Sequence, residues 1–254
     1  MSNESMAMRI TDNGPDAERG RECAAAIGEL FSGVFAMLDG WRAAVEASGA
    51  GTTTARIDSL VYSLVEPELT AADPLVIGAG FIAAPENDTS QALHFAWWLG
   101  PLTDNPLLGT TTKPSRLDLA SREYAEYLRD FRAFEWYQVP QATRAGHITG
   151  PYVDHLCTCD YILTLTAPVG AGGSMRGVVG ADILVRRLEP EVLPLLRATD
   201  TAIALVSGSG RVILSVSPTL RVGSIVSDAS AEDRGWDAVQ CPGTELKLLL
   251  GEDI

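Results

Sequence analysis

The chain has 254 residues, of which 19 are Lys or Arg and 33 are Asp or Glu, so its formal net charge is −14. Hydrophobic residues make up 46% of it and charged residues 20%, a balance that excludes a disordered or low-complexity chain. A chain of this length buries a sufficient core without disulfides or metals. Because nucleic-acid binding depends on Lys and Arg that neutralise phosphates, the acidic surface argues against a nucleic-acid partner and favours cationic or small polar ligands.

Signals for export and membrane insertion are few in this sequence. The N-terminus has no basic start followed by an apolar run, and the longest unbroken apolar stretch, 74–85, is about half as long as a bilayer-spanning helix requires. The cysteines do not have the spacing of a secreted disulfide scaffold; they are Cys23, Cys157, Cys159 and Cys241. These features predict a soluble cytoplasmic protein that does not bind a membrane.

The first predicted elements are two helices. Between 16 and 48, apolar residues recur at alternating steps of four and three, which is typical of a helix with a heptad-like seam. The seam residues are Ile27, Phe31, Val34, Leu38, Trp41 and Val45. Gly49 and Gly51 end this helix, and Thr52 to Thr54 can cap a second one. The seam fits either a helix packed on its own domain or a homodimer interface.

After Pro74, short apolar runs alternate with turn residues, which is typical of antiparallel strands. Strands are predicted at 75–84, 92–99, 147–153, 161–169, 177–185, 202–206, 212–216 and 245–250, and helices at 117–139, 187–199 and 229–239. Pro140 is expected to end the first of these three helices. The order predicts an α+β fold with an N-terminal helical segment (1–70), an antiparallel sheet module (71–190) and a smaller second α/β module (191–254).

Two motifs suggest a cofactor or a metal but lack the usual context. The run from Gly78 to Ala83 fits the dinucleotide fingerprint, yet Pro85 follows where that fingerprint needs a helix, so we interpret its glycines as close-packing positions in a strand. His155, Cys157 and Cys159 lack the second ligand pair of a structural zinc site. We therefore predict neither a cofactor nor enzymatic activity; the alternative is a metal-dependent enzyme that uses this cluster.

The most informative region is 134–182, which contains aromatic and acidic residues on adjoining predicted elements. They are Trp136, Tyr137, Tyr152, Asp154 and Asp182. Aromatic faces attract cations, and carboxylates form charge-assisted hydrogen bonds with ammonium groups. Asp182 stands out because it lies inside the apolar run GVVGADILV, where an unpaired carboxylate is costly. It needs a partner.

In this region the chain resembles the Cache family of sensor domains, which are relatives of PAS folds and occur in chemoreceptors and sensor kinases. The resemblance covers about residues 70–217 and rests on the long N-terminal helix together with Trp136-Tyr137-x-x-Pro140, Gly150–Asp154, Thr164–Val169, Gly177–Asp182, Ala204–Val206 and Gly210–Ile213. It implies a PAS-like sheet in the 71–190 module and ligand sensing as the function. Members of the family are normally flanked by transmembrane helices, so we expect a free-standing version with a reduced second module, which signals through a separate partner protein or by oligomerisation.

The five aromatic and acidic residues match positions of the double-Cache branch that binds amines and amino acids. In that branch they hold the ligand amine, and an Arg holds an α-carboxylate. Here Phe134 occupies the Arg position, with Arg132 two residues earlier. The resemblance therefore favours an amine without a carboxylate, such as a polyamine or a quaternary amine. An amino acid is the alternative if the helix is shifted so that Arg132 takes the place of the missing Arg.

The resulting hypothesis is a small-molecule sensor. Its cationic ligand is desolvated between Trp136 and Tyr137, bonded to Asp154 and Asp182, and assisted by the Tyr152 hydroxyl. The alternative on the same fold is a small carboxylate bound by Arg132, His147 or Arg144, with structural aspartates.

Overall fold

The structure is a computed structural model that describes residues 15–49, 51–83, 94–103, 109–117, 133–154, 158–170 and 174–251. It contains two compact units: one comprises Gly33–Arg187, and the other comprises Leu188–Ile254 with the N-terminal part of the chain up to Ser32. Helices alternate with blocks of antiparallel strands, which confirms the predicted α+β fold. The three-part division at 70 and 190 stays a prediction.

Two helices occupy the N-terminal part of the described chain, as the periodicity predicted: α1 (Pro15–Ala47) and α2 (Thr54–Leu69). Gly49 adopts a φ of 79°, the left-handed conformation in which glycine commonly ends a helix. The seam of α1 is buried inside the chain at all six positions: Ile27, Phe31, Val34, Leu38, Trp41 and Val45. A homodimer, which stays a prediction, therefore needs a surface other than this seam.

By length and composition, α1 is also long and apolar enough to cross a membrane over the 31 residues Ala17–Ala47. Polar residues are scattered along α1, so it contains no long unbroken apolar run, although it is apolar on average. For this reason the length of apolar runs did not predict it as a possible membrane span. One face of α1, the seam, is buried in the described chain.

The larger unit contains a six-stranded antiparallel sheet. Its strands are β1 (Val76–Ala83), β2 (His94–Leu99), β3 (Ser115–Arg116), β4 (His147–Val153), β5 (Tyr161–Val169) and β6 (Gly177–Leu184), in the order β3-β2-β1-β6-β5-β4. Successive residues of a strand point to opposite faces. Trp98 faces α2 and lies 5.5 Å, between ring centroids, from Tyr62. Trp97, its neighbour, therefore points to the opposite face.

That opposite face carries α3 (Glu135–Thr143). Most of the predicted 117–139 helix, at 118–132, lies outside the described residues. The described part begins at Glu135 and continues to Thr143, so Pro140 lies inside the helix instead of ending it. A proline has no N–H to donate to the carbonyl four residues earlier, which here is Trp136 O. Thr166 Oγ1 of β5 donates to Trp136 O at 2.9 Å and replaces the missing bond. Glu135 Oε1 contacts His147 Nε2 of β4 at 3.0 Å, so α3 is held over β4 and β5.

The smaller unit contains a second antiparallel sheet. After α4 (Val185–Arg197) come β7 (Ala202–Val206), β8 (Val212–Ser215), α5 (Asp228–Asp233), β9 (Asp237–Gln240) and β10 (Lys247–Gly251), with the sheet order β8-β7-β10-β9. The predicted helix at 229–239 is wrong in its second half. Gly235, with a φ of 68°, follows the helix, and the chain continues as β9.

Candidate ligand-binding site

Paired residues cross the larger sheet in one row. Thr149 of β4 pairs with Thr164 of β5, and Thr164 pairs with Asp182 of β6. Asp182 in turn pairs with Gly78 of β1. Directly opposite residues of antiparallel strands lie side by side on one face of the sheet, and here that face carries α3. We call Thr149, Thr164, Asp182 and Gly78 the Asp182 row.

Hydroxyl groups connect part of this row. The Tyr152 hydroxyl lies 2.6 Å from Thr164 Oγ1, which donates to Asp182 Oδ1 at 2.6 Å. Within the described residues, Asp182 Oδ2 receives no hydrogen bond, and the buried Thr149 Oγ1 has no partner. The row therefore contains one engaged hydroxyl, one open carboxylate oxygen and one open hydroxyl.

A β-bulge decides which side chains of β4 reach the row. Thr149 pairs with Thr164 and Tyr152 pairs with Ile162, so the register shifts between them. In a regular strand, residues three apart face opposite sides, but the bulge turns Thr149 and Tyr152 to the same face. Gly150 makes this possible with a φ of 115°; a Cβ there would meet Ile162 O at 2.8 Å.

The Asp182 carboxyl lies in a strongly desolvating environment. The pKa of Asp182 is raised from its ordinary value of 3.8 to about 8. Burial is the largest cause and the negative charge of Asp154 adds to it, while the Thr164 hydrogen bond acts in the opposite direction. In the empty site near neutral pH, Asp182 is therefore largely protonated. A cation that approached Oδ2 would favour the ionised form.

Asp154 has a second, structural task. Its Oδ2 accepts hydrogen bonds from the Thr158 N–H at 2.9 Å and from Thr158 Oγ1 at 3.1 Å, and its backbone carbonyl accepts one from the Cys159 N–H at 2.7 Å. These bonds close the turn after β4. Asp154 thus positions the turn while its charge acts on Asp182.

Trp97 lies on the same face, over positions where the sheet has glycines. A Cβ at Gly180 would meet Trp97 Cη2 at 3.2 Å, and one at Gly78 would meet Trp97 Nε1 at 3.1 Å and Asp182 Oδ2 at 3.2 Å. The glycines therefore leave room for the indole and bring its N–H close to the carboxylate. A Cβ at Gly80 would clash with the backbone of Ala96 on β2, so the interpretation of Gly78 and Gly80 as close-packing positions in a strand is confirmed.

The two predicted aromatic contacts belong to α3. Tyr137 is buried in the apolar cluster that contains Trp97 and Val178, and Trp136 packs against that cluster. Their rings contact each other edge to face, with centroids 6.1 Å apart. Trp136 also stacks on Phe134 at 5.9 Å. Through Trp97, this apolar cluster borders the Asp182 row at Gly78, and Ile162 and Leu184 of a second cluster flank the row at the next pair of residues along β5 and β6.

Of the remaining candidate residues, Arg132, His155 and Cys157 are outside the described residues, and Cys159 is exposed. His147 contacts Glu135, and Arg144 is exposed at the end of α3. In the described ranges, no three His, Cys, Asp or Glu side chains are grouped as metal ligands.

Sequence reasoning missed three residues of this face: Thr149, Thr164 and Trp97. One signal was available. Thr164 and Thr166 are two residues apart in β5, and their neighbours in the strand, from Ile162 to Val169, are apolar. Residues two apart in a strand point to the same face, so both hydroxyls are on one face of the sheet. Nothing in the local sequence indicated the roles of Thr149 and Trp97.

The comparisons with known proteins agree with this geometry. Residues 84–190 match the family model described as the methyl-accepting chemotaxis protein-like, first PDC sensor domain. These residues form a Cache-type sensor domain. This match supports small-molecule sensing as the function of this part of the chain, and the PAS-like sheet that the resemblance implied is confirmed.

Solved structures share the fold of most of the chain, including the residues that match the family model. The ligand-binding domain of the Pseudomonas aeruginosa PAO1 amino acid chemoreceptor PctC, in complex with GABA, is 17% identical, with a TM-score of 0.55 over 92% of this chain and 97% of that chain. That of the Pseudomonas fluorescens chemoreceptor CtaA, in complex with L-valine, is also 17% identical, with a TM-score of 0.57 over 93% and 94%. An extracellular ligand binding receptor from Desulfohalobium retbaense DSM5692 is 11% identical, with a TM-score of 0.58 over 95% and 41%.

The predicted cytoplasmic location is wrong. The family model belongs to sensor domains of chemotaxis receptors, and similar structures include extracellular domains. The helix Ala17–Ala47 also has the length and composition of a membrane span or signal sequence. The lack of a long unbroken apolar run therefore does not support a cytoplasmic location.

Proposed function

We propose that the Cache-type domain is an extracytoplasmic sensor, not an enzyme, and that it binds a small cationic amine at the Asp182 row. The observation that carries this proposal is the open Oδ2 of Asp182. This carboxylate oxygen lies on the face shared with Trp97 and, among the described residues, accepts no hydrogen bond. An ammonium group supplies both the missing donor and the missing positive charge.

The electrostatics of the site support a cationic ligand. The negative charge of Asp154 helps to raise the pKa of Asp182. A cation bound at Oδ2 opposes this effect and favours the ionised form of Asp182. A small carboxylate would add a third acidic group to the same place.

The aromatic residues supply the apolar walls. Because the rings of Trp136 and Tyr137 contact each other, an ammonium group does not fit between them. Trp97 lies close to Asp182 Oδ2, since both border the position of a Gly78 Cβ. We therefore assign Trp97 to the ligand-contacting residues together with Tyr152 and Asp182.

The chemistry of ligands bound by similar domains points the same way. GABA, in the PctC complex, and L-valine, in the CtaA complex, both carry an ammonium group. They also carry a carboxylate, for which this chain has Phe134 in place of the Arg of the amino-acid-binding branch. The proposal is therefore a cationic amine in preference to an α-amino acid.

The signal can leave the site through α1. Within the larger unit, Glu46 Oε1 of α1 accepts a hydrogen bond from the Gly170 N–H at 3.0 Å, just after β5. A Cβ at Gly146, just before β4, would meet the Phe35 ring of α1 at 2.6 Å. Ligand binding that shifts β4 or β5 thereby shifts the population of α1 positions.

Calorimetric titration tests the proposal. The ligand panel contains putrescine, spermidine, choline and butylamine, then GABA and L-valine, then lactate, acetate and citrate. We expect amines without a carboxylate to bind to the wild type and to lose at least about 100-fold in affinity on Asp182→Asn. Binding of the carboxylates alone, or amine binding that is unchanged by Asp182→Asn, overturns the proposal.

A further inference from the structure

The open hydroxyl of Thr149 marks a second polar position on the Asp182 row. Thr149 is 6% exposed, and its Oγ1 has no hydrogen-bond partner among the described residues. A buried polar group without a partner loses its hydrogen bonds to water and gains none in return, which is why native proteins leave few of them unpaired. The neighbouring Thr164 does not relieve it, because Thr164 Oγ1 is engaged by Tyr152 and Asp182.

Register places this hydroxyl and the open Asp182 oxygen at the two ends of one polar stretch. Thr149 and Asp182 both pair with Thr164, from opposite sides, so all three side chains point to the face that carries α3. The two open groups are therefore separated by a single strand. A ligand that bonds to Asp182 along this row meets Thr149 at its other end.

We propose that Thr149 is a specificity-determining residue, which binds a neutral oxygen of the ligand at a distance from its ammonium group. This inference rests on the proposed function. An oxygen without charge suits the position, because the row contains a carboxylate and hydroxyls but no cationic side chain. A hydroxyl, ether or amide oxygen of the ligand gives Thr149 its partner without adding a negative charge near Asp154 and Asp182.

The strand spacing sets the length of the ligand. Neighbouring strands lie about 4.8 Å apart, so Thr149 and Asp182 are roughly 10 Å apart between their backbones. A hydrogen bond at each end of the ligand is about 3 Å long and points partly down towards the sheet, so it covers only part of its length along the row. Subtracting the two bonds leaves roughly 5–7 Å between the ligand nitrogen and the ligand oxygen. An extended chain advances about 1.25 Å per bond, which gives about four to five bonds between the two atoms. The ligand class is therefore an amine whose oxygen is the fourth or fifth atom after the nitrogen.

The experiment is a calorimetric comparison of 4-aminobutan-1-ol, 2-aminoethanol and butylamine with the wild type, Thr149→Val and Thr149→Ser. We expect the wild type to bind 4-aminobutan-1-ol about tenfold more tightly than the other two amines. Thr149→Ser keeps the hydroxyl and is expected to keep this preference. Thr149→Val, which has the same shape without the hydroxyl, is expected to bind 4-aminobutan-1-ol and butylamine equally.

The possible results separate the two proposals. If butylamine and 4-aminobutan-1-ol bind equally to the wild type, or if Thr149→Val keeps the preference, the role of Thr149 is overturned while amine binding stands. If no amine binds to the wild type, the proposed function fails and the inference fails with it.

Thermal unfolding without a ligand gives an independent measurement. A hydroxyl that is open in the empty protein predicts that Thr149→Val unfolds at the wild-type temperature or a few degrees above it. A clear decrease in Tm would mean that the hydroxyl is already paired in the empty protein, and would overturn the inference.

Discussion

Thr164 on β5 donates a 2.6 Å hydrogen bond to the Asp182 carboxyl on β6, and each residue lies directly opposite the other in the sheet. The bond engages Oδ1 and thereby orients the carboxyl group, with Oδ2 beside Gly78. One strand pair thus both buries an acid and presents one of its oxygens to a ligand.

Substitution of Thr164 tests this arrangement. Thr164→Val removes the described hydrogen-bond partner of Asp182 Oδ1 and one partner of the Tyr152 hydroxyl, and is expected to lower the free energy of unfolding by about 1–3 kcal/mol. Chemical denaturation measures this loss. Thr164→Ser, which keeps the hydroxyl, serves as the control and is expected to lose less.

Protonation of Asp182 predicts how stability depends on pH. Between about pH 4 and pH 8 the folded protein keeps the Asp182 proton that the unfolded chain releases, because the pKa of Asp182 is raised from 3.8 to about 8. Raising the pH through this interval therefore favours unfolding, and this contribution is constant below and above it. Asp182→Asn is expected to reduce the decline, as measured by urea denaturation at a series of pH values. An equal decline in the variant would contradict the raised pKa.

The same protonation predicts that amine binding releases a proton. Below pH 8, a cation that bonds to Asp182 must displace its proton, so the affinity falls as the pH is lowered. Calorimetry in buffers with different ionisation enthalpies gives the number of protons released, which is expected to approach one per ligand near pH 6. Asp39→Asn, an exposed substitution on α1, is expected to leave this number unchanged.

Gly78 keeps space open next to the carboxylate. Gly78→Ala places a Cβ 3.0 Å from Leu99, 3.1 Å from Trp97 Nε1 and 3.2 Å from Asp182 Oδ2, tighter than ordinary contact. We expect at least about a tenfold loss of amine affinity, since the methyl group occupies the place next to Oδ2. Gly40→Ala on α1 is the matched control: its Cβ meets nothing within 4 Å, and it is expected to leave affinity unchanged and raise stability by about 0.5–1 kcal/mol.

The cysteines are expected to differ in reactivity. Cys23 and Cys241 are buried, and burial raises their thiol pKa values to about 11 and about 12, so almost no thiolate is present at pH 8. Cys159 is exposed. Maleimide labelling of the native protein, mapped by mass spectrometry, is expected to modify Cys159 and to spare the other two until denaturant is added. Rapid native labelling of Cys241 would contradict its described burial.

Much of the fold was predictable because it depends on local patterns. The seam of α1, the hairpin of β1 and β2, and the strands β4 to β6 all follow from the spacing of apolar and turn residues, which acts over a few positions of the chain. The need of Asp182 for a partner also followed from the sequence, since a carboxylate inside an apolar run is costly wherever that run folds.

Other parts depended on contacts between distant residues. The sequence suggested that Pro140 ends a helix, yet Thr166, 26 positions later, donates to the carbonyl that the proline leaves free. The location was misjudged for a related reason: unbroken apolar runs do not reveal a long helix whose apolar residues are spread along it.

By itself, the sequence determined the order of elements, the α+β class and a buried acid in need of a partner, because these depend on periodicity and on the cost of burying charge. Only the tertiary structure decided which groups surround that acid. Strand register placed Thr149, Thr164 and Gly78 in one row with Asp182, and the bulge at Gly150 turned Tyr152 to the same face. Register is set by pairing across the whole sheet, and no short stretch of sequence contains it.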